Sequence, residues 1–138
     1  MPRASRQFLD NSVWGQINET FIEVISHHKQ AELKKFLAEF LTSEERVMLA
    51  KRLTLYIMLL SDYSDAEIKE VLKMSYETIR TTRILLENKS QKFRSGLEDW
   101  VGKPNREMPT NRLLKFIELA LAAKSDVKAR AKLTSGDY

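Results

Sequence analysis

Residues 64–86 read Ser-Asp-Ala-Glu-Ile-Lys-Glu-Val-Leu-Lys-Met-Ser-Tyr-Glu-Thr-Ile-Arg-Thr-Thr-Arg-Ile-Leu-Leu. Ser64 and Glu67 form a capping box, in which a hydroxyl and a carboxylate each accept a hydrogen bond from a free backbone amide at a helix start. The stretch predicts a short helix, a break at 73–75 and a second helix that is N-capped by Ser75. This arrangement is typical of a helix-turn-helix, whose first helix braces a second helix that enters the major groove of DNA.

The rest of the chain also has the pattern of an all-helical protein. Between Gly15 and Gly96 there is no strand period and no hairpin dipeptide, which argues against β structure. Apolar residues recur instead at helical spacing. Further helices are predicted at about 12–28, 30–40, 42–60, 91–101 and 110–123. The predicted fold class is therefore all-α.

Composition limits the classes of function. A chain of 138 residues predicts one compact domain, and the absence of cysteine excludes a disulfide framework and a thiolate metal site. The first residues are not followed by the apolar segment of a secretory signal. The longest apolar run, 53–60, is far shorter than the ~20 residues of a membrane span. We therefore expect a soluble, cytoplasmic protein without a membrane partner.

Positive charge is concentrated in one part of the chain. The net charge is +4, and residues 73–112 alone contain nine basic and five acidic residues. A polyanion is the simplest partner for this bias, although a solvated basic surface is an open alternative. The predicted organisation is a helical domain over 1–101 with its helix-turn-helix at about 64–88, a linker at 102–109, an additional helix at 110–123, and a basic, flexible tail at 124–138.

The second helix of 64–86 has one buried and one outward face. Helical geometry that buries Ile79 also turns Tyr76, Thr82 and Leu86 inward, and it turns the polar residues of the first turns outward. Among these, Arg80 can make a bidentate contact to guanine. Outward residues near the start of this helix are the ones that could reach base edges.

Basic residues around that helix suit the DNA backbone. The residues placed to contact phosphates, which fix the register of a protein on DNA, are Lys69, Lys73, Arg83 and Lys89. Lys73 occupies a turn position where many such motifs have glycine, so a left-handed backbone there would carry a Cβ penalty. The predicted DNA-binding residues are Lys69, Lys73, Ser75, Tyr76, Glu77, Thr78, Arg80, Thr81 and Arg83.

Several motifs together resemble the tryptophan repressor family. They are Leu41-Thr-Ser-Glu-Glu-Arg46, a long helix that contains Arg52, the 64–72 segment, and Thr78-Ile79. The resemblance extends over about residues 12–101, and the chain is similar to the regulators related to the Trp repressor. It implies an intertwined, all-helical homodimer whose two reading heads enter successive major grooves of double-stranded DNA.

The resemblance is weaker at the effector site. In that family a tryptophan co-repressor lies between the third helix and the reading helix, and Thr42 and Arg52 match two of the positions that hold it. Thr81 and Thr82 stand where the family has an arginine and a glycine. Loss of a planar cation and addition of a branched side chain argue against tryptophan. The effector residues that the resemblance implies are Thr42, Arg52, Thr81 and Thr82, with no cofactor predicted and any co-repressor unknown.

No arrangement typical of an enzyme is found in the sequence. His27 and His28 point about 100° apart on a helix, so they cannot easily share a metal ion. There is no phosphate loop and no nucleophile with a base, so no catalytic or metal-binding residue is predicted. We therefore expect a repressor that binds a palindromic operator as a homodimer. The alternative is a helical protein–protein adaptor whose helix-turn-helix serves only for packing.

Overall fold

The computed structural model describes residues 9–102, 111–123, 131 and 134–136. The secondary structure within these residues is helical throughout, which confirms the predicted all-α class. The helices are α1 (Asn11–His27), α2 (Gln30–Phe40), α3 (Ser43–Leu60), α4 (Asp65–Leu72), α5 (Tyr76–Glu87), α6 (Gln91–Val101) and α7 (Arg112–Ala122). The predicted linker at 102–109 and the predicted tail at 124–138 lie mostly outside the described residues.

The chain divides within α3 into two compact units, Met1–Ala50 and Lys51–Tyr138. None of the residues of α1 and α2 is buried. Their aromatic rings contact one another, with Phe36 stacked on Phe40 at 5.4 Å between ring centroids and Phe21 at 6.0 Å from Phe40. The exposed apolar side chains of these two helices include Val13, Trp14, Ile17, Phe21, Ile22, Val24 and Phe40. The apolar stripe of this unit is therefore left open to solvent.

The second unit contains the hydrophobic core. It begins with the C-terminal turns of α3, where the sequence is almost entirely apolar, and it includes buried side chains from each of the helices α4 to α7. The core side chains are Leu55, Ile57, Met58, Leu59, Tyr63, Ile68, Leu72, Ile79, Leu86, Val101, Leu114 and Ile117. The predicted helix-turn-helix is thus built directly onto the most buried part of the molecule.

Helix α7 covers part of this core and packs against α4. Asn111 caps its start by accepting a hydrogen bond from the Leu113 amide at 2.8 Å. Leu114 and Ile117 are fully buried, and the Tyr63 hydroxyl donates to Glu118 Oε1 at 2.7 Å. None of the helices in the described ranges is long and apolar enough to cross a membrane.

Candidate nucleic-acid interface

Helix α4 starts with the capping box that the sequence predicts. Ser64 Oγ accepts a hydrogen bond from the Glu67 amide at 3.2 Å, and Glu67 Oε2 accepts one from the Ser64 amide at 2.8 Å. Two of the free amides at the helix start are thereby satisfied. The start of the bracing helix is therefore fixed by two side chains three residues apart.

The turn between α4 and α5 depends on Lys73. Its backbone is left-handed, with φ 52° and ψ 52°, and its amide donates to the carbonyl of Lys69 at 2.9 Å. The left-handed backbone confirms the prediction that Lys73 occupies a position suited to glycine. A non-glycine residue in this region costs about 1–2 kcal/mol. Lys73 Nζ also lies 3.4 Å from Glu70 Oε1, so its charge is shared with a carboxylate.

Ser75 caps helix α5. Its Oγ accepts a hydrogen bond from the Thr78 amide at 3.2 Å and lies 2.9 Å from the Thr78 hydroxyl. Both hydroxyls were predicted as DNA-binding groups. In the free protein they bond to each other, so their first effect is to order the start of the helix.

Buried apolar residues and one ion pair hold α4 and α5 together. Ile68 and Ile79 are fully buried where the two helices meet. At the surface beside them, Arg83 Nη2 pairs with Asp65 Oδ1 of the first turn of α4. Sequence reasoning assigned Arg83 to a phosphate and missed this pair. The partners are 18 residues apart and become neighbours only when the two helices cross.

The outward face of the first two turns of α5 is polar and accessible. Glu77, Thr78, Arg80 and Thr81 are all exposed, as the helical spacing from Ile79 predicts. These side chains lie on the first two turns of the helix and are free of the core. Exposed polar side chains near the start of the second helix are the groups that read base edges in a helix-turn-helix.

Tyr76 corrects one prediction. Helical spacing placed it on the buried side of α5, but its exposed fraction is 41%. It is the first residue of the helix, and at this end its ring faces the Lys69 ammonium, which lies 4.4 Å from the ring centroid. Periodicity assigns a face for the interior of a helix and fails at the end, where the chain turns away.

A groove runs along the outside of the turn, with a volume of about 750 Å³. We call it the turn groove. It combines two lysines and one glutamate with a tyrosine ring and the start of α5, and these groups converge on one concave surface. Its lining residues are Ala66, Lys69, Glu70, Lys73, Met74, Ser75 and Tyr76.

The residues that the family resemblance assigns to an effector belong to both units. Thr42 belongs to the first unit, and its hydroxyl and amide are both engaged with Glu45 in a capping box, at 3.2 and 2.9 Å. Arg52, Thr81 and Thr82 belong to the second unit, where Arg52 and Thr81 are exposed and Thr82 is half-buried. The two threonines of α5 offer hydroxyls and methyl groups where a planar cation would be needed to stack on an indole.

The two histidines belong to the first unit, where His27 is exposed and His28 is half-buried. The His28 ring stacks on Phe36 at 4.7 Å between centroids, and its Nδ1 lies 2.6 Å from the Val24 carbonyl oxygen. Among the described residues no group of three or more histidine, cysteine, aspartate or glutamate side chains could hold a metal ion.

Comparison with known families supports the assignment of the helix-turn-helix. The family model described as Trp repressor protein matches residues 16–100, which is more than half of the chain and includes both α4 and α5. No curated protein and no solved structure gives a significant match. Helix α7 lies beyond the matched residues. The chain therefore belongs to the Trp repressor protein family, a family of DNA-binding transcriptional regulators and not of enzymes.

Proposed function

We propose that this protein is a sequence-specific repressor that binds a palindromic operator as a homodimer and blocks transcription by occupying it. The observation that carries the proposal is the exposed polar face of α5, formed by Glu77, Thr78, Arg80 and Thr81 on a helix whose opposite side is buried. The family assignment supports the same function.

In this proposal Arg80 is the principal reader of sequence. Its exposed guanidinium can donate two parallel hydrogen bonds to the O6 and N7 atoms of guanine. Thr78 and Thr81 can contact a thymine methyl group or a phosphate, and Glu77 can accept from cytosine N4. Lys69 and Lys73 contact phosphates, which give affinity that falls with salt.

The open apolar stripe of α1 and α2 supports the proposed homodimer. Exposed contiguous apolar surface of this kind marks an interaction site. A second copy of the chain would bury it and would place two reading helices on one duplex. In such dimers the half-sites are about 34–36 Å apart, which is one helical turn of DNA.

Tryptophan is not the effector in this proposal. Neither Thr81 nor Thr82 can supply the planar cation that stacks on an indole ring, and both carry a branched Cβ. The repressor would then act without a co-repressor or with a different one, in the cytoplasm where its DNA target lies.

Selection of bound duplexes from a random pool tests the proposed function. We expect enrichment of a two-fold symmetric site whose enrichment does not change when tryptophan is added. The Arg80→Ala variant should bind a broader range of sequences and lose the guanine preference at one position of each half-site. An Arg80→Ala variant with an unchanged selected site would show that the reading face is wrongly assigned.

A protein–protein adaptor is the second candidate, because the same apolar stripe could dock a different protein. A gel shift at low salt separates the two candidates. An adaptor would show no affinity for any duplex even under conditions that favour phosphate contacts, whereas a repressor would bind random DNA weakly and its operator tightly.

A further inference from the structure

Lys69 and Tyr76 face each other across the turn of the helix-turn-helix. Lys69 lies in the last turn of α4 and Tyr76 is the first residue of α5, and the Lys69 ammonium lies 4.4 Å from the centre of the Tyr76 ring. The left-handed backbone of Lys73 reverses the chain between them. An ammonium over the face of an aromatic ring is attracted by the ring quadrupole.

The two lysines of the turn groove differ in their electrostatic surroundings. Lys73 pairs with the Glu70 carboxylate at 3.4 Å, so its positive charge is partly neutralised. The Tyr76 ring, in contrast, holds the Lys69 ammonium without cancelling its charge, because the ring is neutral. Lys69 is exposed, and Tyr76 itself is only partly covered. Lys69 therefore lines the groove with a positive charge that lies against the Tyr76 ring.

The location of the Lys69 ammonium favours a negatively charged ligand. The groove adjoins the start of α5, where the helix dipole favours a negative group. We infer that Tyr76 is a positioning residue, which holds the Lys69 ammonium where it binds one phosphate of the DNA backbone. The inference rests on the proposed function and adds to it a defined role for the tyrosine.

In this inference the Tyr76 ring orders the Lys69 side chain before DNA binds. A free lysine side chain loses much rotamer freedom when it is fixed on a phosphate. If the ring already restricts Lys69, less of that freedom remains to be lost when DNA binds. For one exposed cation–π contact this corresponds to an affinity effect of about two- to fivefold for each subunit.

The experiment measures the affinity of the full chain for a random-sequence duplex of about 30 base pairs, long enough for two half-sites. Binding is measured between about 50 and 200 mM salt, where phosphate contacts dominate its salt dependence. The variants are Lys69→Met, Tyr76→Leu, Tyr76→Phe and the double variant Lys69→Met/Tyr76→Leu. Circular dichroism of each variant checks that helix content and thermal midpoint are kept.

The logarithm of the binding constant falls linearly with the logarithm of the salt concentration. Lys69→Met should reduce the steepness of that fall, the salt slope, by about 0.9 for each subunit on DNA. Tyr76→Leu should weaken binding about two- to fivefold per subunit, and Tyr76→Phe, which keeps the ring, should recover most of that loss. In the Lys69→Met background, Tyr76→Leu should have no further effect, because the ring then has no cation to position.

Two results would overturn the inference in distinguishable ways. If the wild-type protein binds the duplex and the effects of Lys69→Met and Tyr76→Leu are additive, Tyr76 acts independently of Lys69 and only the positioning role fails. If the wild-type protein does not bind DNA even at low salt, the proposed function fails and this inference fails with it.

Discussion

Lys73 combines a strained backbone with a proposed role in binding DNA. Its left-handed backbone is strained by its Cβ, and a glycine there would remove that strain. We expect Lys73→Gly to change the free energy of unfolding by up to about 1 kcal/mol in the stabilising direction, because the greater freedom of glycine in the unfolded chain offsets part of the gain. Urea unfolding measures this change.

The same substitution should weaken the proposed binding to DNA, since one cation beside the start of α5 is lost. The salt slope should fall by about 0.9 per subunit if Lys73 contacts a phosphate. Lys73→Asn is the control, because asparagine tolerates the left-handed region and also removes the charge. A destabilised Lys73→Gly variant would contradict the view that the turn is strained.

Arg83 and Asp65 tie the start of α4 to the middle of α5. Both side chains are partly exposed, so the pair should be worth about 0.5–1 kcal/mol. We expect Arg83→Met and Asp65→Asn each to lower stability, and the double variant to lose less than the sum of the two. Urea unfolding of the three variants gives the coupling energy. Strict additivity would show that the pair does not stabilise the helix-turn-helix.

Glu44 provides a pH-dependent contribution to stability. Backbone amide donation at the start of α3, with help from the Ser43 hydroxyl, holds the pKa of Glu44 below its ordinary value of 4.5. Because the folded pKa is lowered, this stabilisation is fully present above pH 4.5 and is lost as the pH falls through the folded pKa. Glu44→Gln should therefore have a lower thermal midpoint than the wild type near neutral pH. The two midpoints should converge in acid. An equal difference at every pH would argue against this role.

Substitutions in α7 test whether this helix, which lies beyond the family match, is essential to the fold. Ile117 is fully buried, so Ile117→Ala should cost about 2–5 kcal/mol in the free energy of unfolding. Lys115→Ala is the matched control on the exposed side of the same helix and should change stability by less than about 0.5 kcal/mol. Similar effects from both substitutions would mean that α7 does not contribute to the core.

The bounds of α4 and α5 could be predicted closely from the sequence because their start signals are local. Ser64 and Ser75 each cap the helix that follows within three residues. Helix α7 was predicted as an amphipathic helix, but no local signal told whether it would cover the core or extend an interface. The structure places α7 against α4, with Leu114 and Ile117 buried in the same core cluster as Ile68 and Leu72.

Less of the candidate site than of the helix bounds could be predicted from the sequence. The pair between Arg83 and Asp65 depends on the angle at which two helices cross, which spacing along the chain does not encode. Tyr76 is the first residue of α5, where helical periodicity does not determine whether a side chain is buried. The assignment of individual residues to bases and phosphates stays a prediction.

For the whole molecule, the main prediction is assembly into a dimer. Phe21 lies in the middle of the exposed apolar stripe of α1, and Phe21→Glu should place a charge in the interface. We expect light scattering to report a dimer for the wild type and a monomer for Phe21→Glu, with a large loss of affinity for DNA. Glu19→Gln, an exposed neighbour on the same helix, is the control. A wild-type chain that is monomeric at high concentration would contradict the proposal.

The positions of the two tryptophans give the molecule a built-in optical reporter. Trp14 belongs to the first unit and Trp100 to the second, and their exposed fractions are 56% and 63%. An indole ring that leaves water emits fluorescence at shorter wavelength. Association through the stripe of α1 should therefore shift the emission of Trp14 to the blue as concentration rises, and a Trp100→Phe variant would isolate that signal. Subunit association could then be followed without any added label.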